Sequence, residues 1–161
     1  MDRLYLMIEA LLVLGPGVWM AVAVADNWRH PKLNEEAVAM VVRFDLMAEH
    51  YPEDFALIAY RRIEDPRIIG LLFRAMRLAE TCAAGLLLLA TAVLLAAAAG
   101  IADPATAQGL AIVAVAFFVS IWVGFVIGGN YFAYWYCHQW AQSNHFMLMY
   151  WGLFVLLILL V

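Results

Sequence analysis

The stretch Phe125–Phe146, FVIGGNYFAYWYCHQWAQSNHF, decides how this chain is read. It separates two long apolar runs with a Gly-Gly-Asn break, a cluster of Trp and Tyr, one cysteine and two histidines. Aromatic residues gather in this way where helices leave the hydrocarbon of a membrane. The runs on either side, about 107–129 and 141–161, are each long enough to cross a bilayer core, which needs about 20 helical residues.

Two further runs, about 78–101 and 4–25, bring the expected spans to four. The N-terminal run, 4–25, resembles a signal peptide in its Asp2-Arg3 start and Ala21–Ala25 end, but Glu9 and Trp19 interrupt it, and it is counted as a span. Composition agrees: 67% of the chain is hydrophobic and 14% charged, against about 25% charged in a soluble domain. Mean hydropathy is +0.87. The apolar residues fall in blocks, so residues 1–161 are read as one integral membrane domain. A net charge of −4 argues against nucleic-acid binding, which calls for a basic face. Cys82 and Cys137 are too few for a disulfide framework and lack metal-ligand spacing. Both fall near one membrane face, which leaves a bond between them open, with reduced and inert thiols as the preferred reading.

Residues 26–66 are the main polar region. Ala37, Met40, Val41, Phe44, Met47 and Ala48 recur at helical spacing, with Glu35, Glu36, Arg43, Asp45, Glu49 and His50 on the other face. This predicts an amphipathic helix lying on the membrane surface or packed on a neighbouring helix, followed by a shorter one after Pro52. Asp65-Pro66 and Asp103-Pro104 each place a capping carboxylate before a proline at the first helical position. A helix from Pro66 to Ala99 would be about 51 Å long, and one from Pro104 to about Tyr136 nearly as long, against a core of ~30 Å. The tight turn at Gly100–Asp103 joins them, so their excess length projects on the opposite side as a headpiece over 26–77. The expected fold is all-α: a four-helix transmembrane bundle with a small helical headpiece on one membrane face. Eight of the nine Lys and Arg residues, all but Arg3, lie in or beside the headpiece, which predicts that it is cytoplasmic. In the first span, Gly15-Pro16-Gly17 predicts a kink that serves packing.

Three groups of side chains are candidates for function. Arg74 and Arg77 precede Glu80 by one to two turns, which predicts an ion-paired anchor at the membrane interface. Glu9, one to two turns from the opposite surface, is read as a second interfacial anchor. Ala116, Ser120, Gly124 and Gly128 recur every four residues, the small-residue pattern that lets membrane helices approach closely; the bundle itself or a partner subunit could use it. His138 and His145 are seven residues apart. On one continuous helix they share a face about 10 Å apart, and they cannot both ligate a single haem iron from opposite sides. With Asn144 they are the candidates for a haem, quinone or lipid-headgroup contact, although interfacial hydrogen bonding explains them without a cofactor. No nucleophile elbow, phosphate loop, paired carboxylates or zinc motif occurs, so the chain reads as a non-enzyme without a metal site.

Two stretches, Glu64–Glu80 (EDPRIIGLLFRAMRLAE) and Gly124–Trp135 (GFVIGGNYFAYW), resemble a bacterial family of predicted small integral membrane proteins, domain-of-unknown-function family 2165. The resemblance implies four spans and the bacterial inner membrane, and no catalytic residue. The 26–66 and His138–His145 regions depart from the family pattern. The leading expectation is a non-catalytic accessory subunit of a respiratory or photosynthetic membrane complex, with other membrane subunits and lipids as partners and no cofactor of its own. The alternative is a membrane anchor that binds haem b or quinone through His138, Asn144 and His145.

Overall fold

A computed structural model of the chain describes residues 2–161. The helices are α1 (Arg3–Arg29), α2 (Pro31–Val42), α3 (Asp45–His50), α4 (Pro52–Ile58), α5 (Pro66–Ala98), α6 (Pro104–Tyr131), α7 (Tyr134–Cys137) and α8 (Gln139–Leu159), with one 3-10 turn at Ala59–Arg61. There is no strand among the described residues. Four helices, α1, α5, α6 and α8, are long and apolar enough to cross a membrane. Aspartates begin three of them: Asp2 accepts from the Leu4 amide at 3.1 Å, Asp65 from Arg67 at 2.8 Å, and Asp103 from both the amide (2.8 Å) and hydroxyl (2.7 Å) of Thr106. Each supplies an acceptor to an otherwise unpaired first-turn donor.

The bundle core is built from small residues facing large ones. Gly17 lies so close to α5 that an added Cβ would sit 3.2 Å from the Leu87 Cβ, and one at Gly15 would sit 3.0 Å from the Trp151 ring. Gly152 is tighter still against Val119 and Phe118 of α6. Ala83, Leu87, Ala90 and Leu94 of α5 share one buried cluster with Ala107, Ala111, Ala114 and Phe118 of α6. The α5–α6 turn closes through Gly100 at φ +79, with the Ile101 amide donating to Ala96. α1 continues as one helix through Pro16.

Helix lengths make the molecule one-sided. α1, α5 and α6 have 27, 33 and 28 residues, about 40, 50 and 42 Å at 1.5 Å per residue. Three helices therefore outrun a ~30 Å core, and their surplus lies with α2–α4 on one side. α1 reaches Arg29, so the first span runs past the predicted end at 25.

Two expected helices are shorter than the sequence suggests. The amphipathic helix over residues 35–50 breaks at Phe44, which takes the left-handed conformation at φ 57. That turn puts the Phe44 ring into a small core with Phe55 (6.1 Å between centroids) and Phe132 (5.7 Å). α6 ends at Tyr131 instead of about 136, because Ala133 is also left-handed, at φ 51. The chain folds back there, and the Tyr134 ring packs where a side chain on Gly129 would stand, 3.1 Å from that position. The Ile63 amide donates to the Val42 carbonyl at 3.0 Å and ties the segment before α5 to the end of α2.

Candidate functional site

Away from their shared turn, α5 and α6 separate, and α2, α7 and the start of α8 close over the gap. The result is a lateral cleft of about 790 Å³. α5 contributes Leu72, Met76 and Glu80, α6 contributes Ser120, Trp122 and Phe125, and α2 contributes Asn34 and Val38. Tyr134, His138, Asn144 and His145 form the remaining wall. Trp122 is 18 residues into α6, about 27 Å from the far end, and His145 is about 21 Å from the end of α8. The polar part of the cleft thus lies in the headpiece-side third of a ~30 Å core.

The break before α8 sets the histidine geometry. His138 is the residue that precedes α8, so it and His145 do not lie on one continuous straight helix. The Tyr134 ring touches both imidazoles, with centroids 5.6 Å and 5.9 Å away. His145 is stacked at 4.8 Å on Phe125 and 5.6 Å on Trp122. Its Nδ1 is buried without a protein partner, as are Trp122 Nε1 and Asn34 Nδ2. His138 is 8% exposed, and burial holds its imidazole below the usual range. That environment keeps it neutral at pH 7. Asn144 is half-buried in the same wall.

Glu80 does not form the predicted ion pair. Its Oε2 accepts from Asn27 Nδ2 at 2.8 Å, across from α1. The Arg77 guanidinium instead lies over the Trp28 ring at 3.9 Å, while Arg74 is exposed, and neither makes an ion pair among the described residues. A long cationic side chain keeps its head at the interface over an aromatic face, whereas the shorter carboxylate is drawn into the α1–α5 seam and takes an amide partner. Trp28 completes the clasp by donating to Thr81 at 3.2 Å. At the other end Glu9 is fully buried and accepts from Gln108 at 3.0 Å; that amide also donates to the Leu159 carbonyl. Glu9 is therefore a joint between α1, α6 and α8, not an exposed anchor.

The row Ala116, Ser120, Gly124 and Gly128 takes no part in the bundle seams. The first three are exposed and Gly128 is half-buried. A Cβ built on Gly124 or Gly128 would meet nothing within 4 Å. The buried stripe of α6 runs instead through Ala107, Ala111, Ala114, Val115, Phe118, Val119 and Trp122. Ser120, Gly124 and Gly128 form a rim of the cleft, and Ala116 lies beyond it. Cys82 and Cys137 are free thiols.

Sequence reasoning missed Trp122, Asn34, Asn27 and Tyr134. Trp122 sits in an unbroken apolar run and the asparagines in polar surroundings, so only the long-range fold brings them to one cleft. No curated protein and no solved structure matches the chain. The family model described as "Predicted small integral membrane protein (DUF2165)" matches residues 5–161, and the chain belongs to that family.

Proposed function

We propose that this protein is a non-catalytic accessory subunit of a larger membrane complex and docks to its partner through the outer face of α6. The observation that carries this reading is the bare row Ala116, Ser120, Gly124 and Gly128. Small residues at that spacing let a second helix approach to backbone distance, where packing and lipid release drive association. In this protein the bundle leaves the row uncovered, with no side chain or backbone near the two glycines. Exposed Val113, Val123 and Ile127 flank it and supply apolar contact area.

The proposed setting is a bacterial inner membrane with the headpiece in the cytoplasm. The concentration of basic residues in and beside the headpiece supports that orientation. The test is purification from native membranes in mild detergent, wild type beside Ala116→Leu. A stoichiometric membrane partner should accompany the wild type and be lost from the variant. A lone protomer in both preparations would sink the reading.

A further inference from the structure

We propose that the lateral cleft binds a neutral, membrane-dissolved amphiphile whose flat head carries carbonyl oxygens, the chemistry of a quinone with an isoprenoid or alkyl tail. Its volume, about 790 Å³, is that of a cleft which takes small organic ligands. Ser120, Gly124 and Gly128 belong both to the cleft rim and to the proposed docking face, so Gly124→Leu bears on both readings, whereas Trp122→Phe and Asn34→Leu bear on the cleft alone.

The polar atoms of the cleft call for acceptors. Trp122 is 4% exposed and its indole N–H has no protein partner. That group can only donate, and so can the amide nitrogen of Asn34, which is also unpartnered. A buried donor without an acceptor costs about 1–3 kcal/mol, so an occupant that brings carbonyl oxygens relieves two such costs in one site. His145 Nδ1, the third unpartnered nitrogen, donates or accepts according to its tautomer. All three nitrogens are sealed from the open cleft, so an occupant reaches them by displacing wall side chains.

Charge then selects among acceptors. No Lys or Arg lines the cleft, and Glu80 stands in its wall. An anionic phosphate head would find no counter-charge there and would face a carboxylate. Shape selects further: the half-buried aromatic side chains Phe125, Phe132 and Tyr134 line the cleft, which favours a planar head. Leu72, Met76 and Val38 form an apolar wall for a tail. The depth of the polar wall matches the place where an amphiphile in a membrane keeps its head.

The test is equilibrium binding of decyl-substituted benzoquinone to the purified, delipidated full chain. Saturable binding of about one molecule per chain is expected. Trp122→Phe keeps an aromatic ring and removes the donor; it should weaken binding roughly 10-fold, the worth of one hydrogen bond, without lowering the melting temperature. Asn34→Leu should weaken it comparably. Gly124→Leu, at an exposed position with free space for a side chain, should block the cleft without disturbing the fold. Dioleoylglycerol, which has carbonyls but no flat head, and dioleoylphosphatidylglycerol, which is anionic, should not compete. Absence of saturable binding, indifference to all three substitutions, or displacement by either lipid would overturn the proposal.

Discussion

Two glycines show how a single position divides the inside of this bundle from its outside. At Gly152 a methyl group would stand 2.6 Å from a Val119 methyl and 2.9 Å from the Phe118 ring. Val119 is stiff at its branched Cβ, and Phe118 is fully buried, so neither yields easily. Gly152→Ala should cost about 1–3 kcal/mol by overpacking, read as a lower unfolding midpoint in detergent. Gly124→Ala should cost nothing and gain up to about 1 kcal/mol from helix propensity, since the space beside it is open. The Asn27–Glu80 bond is a second residue-scale determinant. Glu80 is 6% exposed and Asn27 is its hydrogen-bond partner. Asn27→Leu should destabilise by about 1–3 kcal/mol, because it leaves a buried carboxyl group unpaired. Adding Glu80→Leu should restore most of the loss in the same unfolding assay, since removal of both partners strands neither.

At the scale of the helices, starts were legible in the sequence and breaks were not. Asp65 and Asp103 act within their own first turns, so a few neighbouring residues determine each cap. Asp103 is held below the usual carboxylate range by its hydrogen bonds to the Thr106 hydroxyl and amide. A carboxyl depressed on folding stabilises above its unfolded pKa, and that contribution disappears as pH falls through the lowered folded value. Asp103→Ala should therefore melt below wild type at neutral pH, and the gap should close well below pH ~4. A gap that persists unchanged in acid would show that the cap is not the cause. The breaks at Phe44 and Ala133 arise differently. A left-handed backbone is unfavourable for both residues, and packing of Phe44, Phe55, Phe132 and Ala133 into one small core holds it. No local sequence signal announces such a contact. The small-residue row of α6 was equally legible as a pattern, but its direction depends on which α6 face the other helices occupy.

For the whole molecule, four apolar helices and three surplus helix lengths produce a headpiece on one face and a short turn on the other. The arrangement was readable from hydropathy and proline positions because the bilayer fixes how much helix is hidden. The cleft was not, since it exists only where α5 and α6 part beneath α2 and α8. Orientation has a direct test. A cysteine placed at exposed Glu53, with Cys82 and Cys137 replaced, should react with an impermeant thiol reagent only when the reagent reaches the cytoplasmic side. Labelling of intact cells from outside would invert the topology. The account rests most heavily on α6 as a docking face, and Ala116 separates that role from the cleft because it lies outside the cleft lining. The decisive measurement is the partner stoichiometry of wild type and Ala116→Leu after isolation from native membranes in mild detergent. The account predicts about one partner per wild-type chain and a free, equally stable protomer for the variant. A wild-type chain that is monodisperse and alone, or a complex that survives Ala116→Leu intact, would contradict it.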